Sequence, residues 1–222
     1  MKSKEQILEE IEVFHREGLD KIKSINNSFP RVPHHQISAL YAVKEYMKES
    51  CKNYLEIGVL WGSSMGLIMQ SSVPCSVYGV DFFKDYNGEK NSTQKVTENL
   101  KKCYKEDFEF TLIKGASESE KVTKQVSEIK GGIDLLFIDG DHSTEGVKKD
   151  FNAYEKFVNP NGFVVFDDYG FIKSTKDGID QVLKGNKDYN IIGQLESLKE
   201  SKKSKNIIFN KENNACFIIQ KK

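Results

Sequence analysis

No run of about 18 to 20 apolar residues occurs anywhere in the 222-residue chain, which argues against a membrane-spanning helix. A surplus of charge of one sign is also missing: 33 basic residues stand against 33 acidic ones, so no general electrostatic case arises for nucleic acid or a membrane surface as partner. Cysteine is scarce. Cys51, Cys75, Cys103 and Cys216 lie far apart with no CxxC pair, which argues against a zinc site or a disulfide framework and leaves reduced thiols in a cytoplasmic protein. The charged N-terminus lacks the apolar core of a signal peptide, and no internal repeat is present. What these absences leave is one domain of ordinary to large size working on a small molecule.

What is there is organised around residues 133–142, IDLLFIDGDH. Five of its first six residues are apolar and glycines flank them, which reads as a short strand buried on both faces, ending in Asp139, Asp141 and His142. Residues 163–167 repeat the design, FVVF running into Asp167 and Asp168. Ligands of open α/β sheets bind outside the carboxyl ends of the strands, so two strands presenting acids at one edge suggest a shared metal ion.

Periodicity places helices at 4–24 and 34–50, then strands at 53–58, 76–81 and 108–113, with helices from 63 to about 70, 93–104 and 119–129. A helix at 147–158 is expected to stop at the turn-forming Asn159, Pro160, Asn161 and Gly162, before the strand at 163–167. Further on come a helix at 177–184, a strand at 188–193 and two apolar runs, 206–209 and 215–219, around the turn-like 210–214. One of these runs is expected to close the sheet as an antiparallel strand, and the lysine-rich 199–205 reads as a solvated loop. The fold expected is a Rossmann-like, doubly wound α/β sheet of about seven strands, mostly parallel, with helices on both faces. Residues 1–33 form an N-terminal helical arm or lid, Pro30 and Pro33 marking the join to a main domain at 34–222.

Between the first strand and its helix, Glu56, Gly58, Trp61, Gly62, Ser63 and Ser64 form a glycine-containing turn. Gly58 permits a sharp turn and close approach to a ligand, while Gly62 and Ser63 open a helix with free N–H groups. Asp81, at the end of the second strand, offers a carboxylate suited to the ribose hydroxyls of an adenosine cofactor. Trp61 packs either on that cofactor or in the core. His34 and His35 either line the pocket or serve surface and capping roles.

The ExGxxxGxS spacing of Glu56, Gly58, Gly62 and Ser64 resembles the first cofactor motif of class I S-adenosylmethionine-dependent methyltransferases of the metal-dependent O-methyltransferase type. Asp81 is similar to their ribose-binding acid, Ala116 and Ser117 to the segment touching adenine, and Asp139, Asp167 and Asp168 to their three metal ligands. Over residues 50–195 the runs LLFIDGDHSTEGVKKDFNAY and NGFVVFDDYG most resemble the macrocin O-methyltransferase family, which modifies sugar hydroxyls. The resemblance implies methyl transfer from S-adenosylmethionine to a hydroxyl of a small molecule, a sugar or glycosylated metabolite.

The residue chemistry agrees with that implication. Mg²⁺ or another hard divalent cation on Asp139, Asp167 and Asp168 would keep positions open for substrate hydroxyls. It would lower the hydroxyl pKa, and His142 would take the proton. Asp141 orients His142, serves as an alternative base, or belongs to the turn. Asp167 and Asp168 could instead cap the next segment. Two rivals are a hydroxylase-like metal enzyme on the same scaffold, which would need more histidine than His142 supplies, and a cofactor-binding protein without catalysis. A nucleic-acid amino-methyltransferase is disfavoured, because Asp139 to His142 replaces the Asn/Asp-Pro-Pro-aromatic motif expected there. The amphipathic N-terminal helix leaves a homo-oligomer contact open.

Overall fold

A computed structural model describes residues 2–30, 37–103, 105–196, 198–200, 207–209 and 215–222. Seven strands form one sheet in the order β3-β2-β1-β4-β5-β9-β6. They are β1 (Asn53–Ile57), β2 (Ser76–Asp81), β3 (Glu109–Lys114), β4 (Ile133–Ile138), β5 (Val158–Phe166), β6 (Tyr189–Glu196) and β9 (Ala215–Lys221). β1 to β5 run parallel, and β9 is antiparallel to both neighbours, β5 and β6. A separate two-stranded ribbon, β7 (Leu198–Glu200) with β8 (Ile207–Phe209), lies in sequence between β6 and β9.

Strand alternation divides the core. Tyr54, Leu135, Phe137, Phe163, Val165 and Ile218 point to one side, where α1 (Lys4–Ile25), α2 (Ser38–Met47), α3 (Ser63–Ile68) and α4 (Thr93–Lys102) pack. Leu55, Ile57, Leu136, Ile138, Val164 and Phe166 point to the other, against α5 (Glu120–Ser127), α6 (Thr144–Tyr154) and α7 (Lys173–Leu183). Serine caps start several of these helices: Ser3 forms a capping box with Gln6, and Ser92, Ser119 and Ser143 each accept a backbone N–H. No helix among the described residues is long and apolar enough to cross a membrane.

The N-terminal helix packs on the sheet: Ile7, Ile11, Leu19, Ile22 and Ile25 are buried in the same core as the strands, a continuity that comes from their helical spacing. Of the segment expected to join it to the rest, Asn26–Ser28 form a 3-10 turn and Pro30 is described, while Pro33, His34 and His35 lie outside the described residues.

The segment Asn159 to Gly162 does not separate a helix from a strand. Helix α6 ends at Tyr154, a single 3-10 turn follows, and β5 already begins at Val158, which pairs with Ile133. The turn-forming residues make a bulge instead: Asn161 adopts φ 64, and the Asn159 amide donates to the Gly131 carbonyl and to Asp134 Oδ1. The lysine-rich stretch expected as a loop starts as strand, residues 198–200 pairing with 207–209, and its remainder and the expected turn at 210–214 are outside the described residues.

Candidate functional site

The order of the sheet reverses between β1 and β4, and in open α/β sheets the carboxyl edge at such a reversal is where ligands bind. Gly58 leaves β1 with φ 90, and a Cβ on it would collide with the Asp139 carbonyl at the end of β4, so only glycine lets the two strand ends lie this close. The loop that follows is held from three directions. Asp81 Oδ2 accepts the N–H groups of Val59 and Leu60 at 2.8 and 2.9 Å, and its Oδ1 accepts Phe83 N–H at 2.6 Å. Asn91 and Asn99 donate to the carbonyls of Leu60 and Trp61, at 2.8 and 3.2 Å. Leu60 itself is held at φ 49, a conformation costly for a residue with a Cβ.

Glu56 lies beneath this loop, fully buried, accepting hydrogen bonds from Tyr54 Oη at 2.5 Å and Ser64 Oγ at 2.6 Å. Burial pushes its carboxyl up to about 8, against the lowering effect of those two hydroxyls. Glu56 and Ser64 therefore work as an internal brace of the turn. Gly62 caps α3, Ser63 opens it half-buried, and the Trp61 ring is buried edge-on to Tyr86, with centroids 6.0 Å apart.

Past β3, Ala116 and Ser117 sit half-buried on the turn into α5. Ser117 Oγ donates to Asp150 Oδ1 at 2.5 Å, and the Ser117 carbonyl accepts Tyr154 Oη at 2.5 Å. Asp150 is 4% exposed, and burial pushes its carboxyl up to about 6. Sequence reasoning passed over it. The available signal was an acid on the apolar face of α6, in step with Val147, Phe151 and Tyr154.

At the ends of β4 and β5, three of the expected residues converge. One donor atom each from Asp139, His142 and Asp168 lies within 4.8 Å of the others, the one such group among the described residues. His142 Nε2 is 3.2 Å from Asp139 Oδ1 and 3.5 Å from Asp168 Oδ2. The hydrogen bond to Asp139 raises the imidazole to about 9, with further help from the charges of Asp139, Asp168 and Asp167 and against the effect of burial. Asp167 takes a different direction. It continues the alternation of Phe163 and Val165, is 5% exposed, and its Oδ1 lies 3.4 Å from the Cys216 thiol across the antiparallel ladder. Asp168 breaks the alternation at φ 55, and this turns its carboxylate toward His142. Asp141 belongs to the turn: its Oδ1 accepts Ser143 N–H at 2.9 Å, and its side chain packs where Gly146 has no Cβ.

Comparison with known proteins agrees with this layout. A family model described as a methyltransferase domain matches residues 55–169, just over half of the chain and the whole run from the glycine turn to the paired acids. The chain belongs to this methyltransferase family. An uncharacterized protein of Acanthamoeba polyphaga mimivirus is 34% identical over 143 residues, 64% of this chain and 63% of the relative, so less than two thirds of the relative's length is spanned. Among solved structures, an O-methyltransferase from Bacillus cereus in complex with S-adenosylhomocysteine superposes with a TM-score of 0.60 at 16% identity, covering 93% of this chain and 91% of that one. The O-methyltransferase TomG from Streptomyces achromogenes, involved in tomaymycin synthesis and solved with S-adenosylmethionine, gives 0.59 at 11% identity, covering 91% and 89%. At these identities the likeness is one of fold.

The donors available in the methyltransferase fit a divalent cation. Two carboxylates and an imidazole reach a common point, Asp168 from an 11% exposed side chain and Asp139 and His142 from side chains 30% and 43% exposed, so the cluster opens to solvent on one side. In the methyltransferase the glycine turn with Asp81 and the acid cluster occupy the same edge of the sheet, with β1 and β4 side by side.

Proposed function

We propose that this protein transfers a methyl group from S-adenosylmethionine to a hydroxyl of a small molecule, with a divalent cation, Mg²⁺ or another, at the carboxyl edge of the sheet. The observation that carries the reading is the contact of Gly58 with the Asp139 carbonyl, which sets the glycine turn directly beside the acid cluster. The cofactor would lie along the turn of Gly58 to Ser64, its ribose toward Asp81 and its adenine toward Ala116 and Ser117. Of the four lone-pair sites on the Asp81 carboxylate, the two on Oδ2 are used by the loop and one on Oδ1 by Phe83, which leaves Oδ1 room for one ribose hydroxyl.

The acceptor oxygen would dock at Asp139, His142 and Asp168. A bound cation supplies positive charge that lowers the pKa of the acceptor hydroxyl. The oxygen would attack the methyl carbon as the carbon–sulfur bond breaks, S-adenosylhomocysteine would leave, and the hydroxyl proton would pass to water on the solvent-open side of the cluster. Positioning of both reactants at one edge of the sheet supplies much of the rate. His142 could take that proton on its way to water or join the acids as a ligand, and its place between Asp139 and Asp168 suits either role. A sugar or glycosylated metabolite is the acceptor class we favour, on the resemblance of the two acid-bearing runs to sugar-modifying enzymes. The described cysteines are all unbridged and buried, which supports a cytoplasmic setting.

Calorimetric titration with S-adenosylmethionine tests the reading, followed by a screen of hydroxylated acceptors for release of S-adenosylhomocysteine. Wild type should bind the cofactor and Asp81→Ala should bind it more weakly. Absence of binding by wild type removes the proposal.

A further inference from the structure

The expected ligand set was three carboxylates, and the geometry points to another. We infer that His142, rather than Asp167, completes the cation site with Asp139 and Asp168, and that the site accordingly takes a borderline cation such as Co²⁺ or Zn²⁺ in preference to Mg²⁺. The inference rests on the metal-assisted methyl transfer proposed above and names the cation of that same site.

Donor spacing is the first ground. Ligands about 2.0–2.2 Å from a common ion lie about 3.0 Å apart on adjacent octahedral vertices and about 3.4 Å apart on tetrahedral ones. His142 Nε2 stands 3.2 Å from Asp139 Oδ1 and 3.5 Å from Asp168 Oδ2, with all three donor atoms within 4.8 Å of one another, so a small movement of the side chains would bring them around one ion. A pair of hydrogen bonds would also tolerate these distances, and the experiment below separates the two.

The second ground is what each backbone does. Asp167 follows the strand and turns its side chain inward, its Oδ1 meeting the buried Cys216 thiol. Asp168, one residue later, adopts φ 55 and leaves that path toward His142. His142 is itself pinned: its carbonyl accepts Ser174 Oγ at 2.7 Å and Thr175 Oγ1 at 3.3 Å, both from the first turn of α7. Fixing the backbone of a ligand residue from outside the site restricts where its ring can go, which is how supporting bonds raise metal affinity. Chemistry gives the selectivity. Mg²⁺ demands oxygen donors in near-ideal octahedral order, whereas imidazole suits the later first-row cations, whose affinity at a given site rises from Mn²⁺ through Co²⁺.

The test uses the full chain freed of metal by chelator and dialysis, titrated calorimetrically with MgCl₂, MnCl₂, CoCl₂ and ZnCl₂. Co²⁺ and Zn²⁺ should bind wild type at least about tenfold more tightly than Mg²⁺, and His142→Ala should reduce Co²⁺ affinity about 10- to 100-fold while leaving Mg²⁺ affinity nearly unchanged. Asp167→Asn should keep most of the Co²⁺ affinity. Because any variant can misfold, wild type loaded with Co²⁺ supplies an independent readout: a paramagnetically shifted imidazole N–H proton resonance, absent from the Mg²⁺ form. Equal affinities for Mg²⁺ and Co²⁺, or no shifted imidazole resonance in the Co²⁺ form, overturns the inference. A cofactor titration on the same preparation keeps the two readings apart, since failure to bind S-adenosylmethionine sinks methyl transfer without touching the metal result.

Discussion

Ser117 donates its hydroxyl proton to Asp150 Oδ1 at 2.5 Å, and through that bond helix α6 is tied to the turn after β3. The same carboxyl also reaches the turn after β4, since a Cβ on Gly140 would lie 2.7 Å from Asp150 Oδ2. Asp150 thus braces two turns that the proposed function assigns to cofactor and acceptor.

Its titration gives a first prediction. Burial lifts the carboxyl from 3.8 to about 6, so the folded state holds the proton more tightly than the unfolded one. A raised value of this kind adds stability below about pH 4, and that contribution is lost as pH climbs through about 6. Asp150→Asn does not titrate. Its stability relative to wild type should therefore improve between pH 4 and pH 7, by on the order of 3 kcal/mol. Urea unfolding at intervals across that range is the measurement, and parallel curves for the two proteins would contradict it.

Glu56 repeats the logic at higher pH and adds a hydrogen-bond test. With its carboxyl pushed up to about 8 by burial, its contribution declines as pH rises from the ordinary carboxylate range through about 8, so Glu56→Gln should gain on wild type across that interval. Tyr54→Phe removes the 2.5 Å bond to Oε2 and should cost about 1 kcal/mol in the same unfolding assay.

A pair of glycines separates strain from collision. Gly58 (φ 90) faces the Asp139 carbonyl, whereas Gly88 (φ 80) has nothing within 4 Å of where a Cβ would stand. Gly88→Ala pays only for the left-handed backbone, about 1–2 kcal/mol. Gly58→Ala must also push two central strand ends apart, and a cost above about 4 kcal/mol is expected. In thermal melts this corresponds to a few degrees for Gly88→Ala against roughly 10 °C or more for Gly58→Ala. Similar melting temperatures would show that the strand ends separate cheaply.

Asn99 offers a kinetic prediction. Its amide holds the Trp61 carbonyl from the buried face of α4, so Asn99→Ala should loosen the turn that carries the cofactor while leaving the acid cluster alone. The expected signature is a KM for S-adenosylmethionine raised several-fold, about what one lost hydrogen bond of 0.5–1.5 kcal/mol would give, with kcat nearly unchanged. A fall in kcat at constant KM would locate the role of Asn99 elsewhere.

The sheet was legible where apolar runs end in a single kind of residue. Residues 76–81 were expected as strand and form β2 with those bounds, and the acids at the ends of the runs lie at one edge, as the parallel arrangement requires. What escaped was decided by single backbone angles and by partners distant in the chain. The residues from Asn159 to Gly162 have the composition of a turn, and the same freedom lets them form a bulge once Asp134 and Gly131 receive the Asn159 amide. Asp167 and Asp168 read as an equivalent pair, and only the positive φ of Asp168 separates them. Asn91 and Asn99 gave no signal, because the carbonyls they hold are 31 and 38 residues away.

The place of β9 in the sheet sets an order on folding. It lies between β5 and β6 yet follows both in the chain, with the β7–β8 ribbon synthesised before it. A ribosome would therefore release β5 and β6 with facing edges open, and both would wait for residues 215–221 to fill the gap. Until residues 215–221 insert, the chain carries two unpaired strand edges close to Asp167 and Asp168, which makes this half of the sheet the part most open to edge-to-edge association.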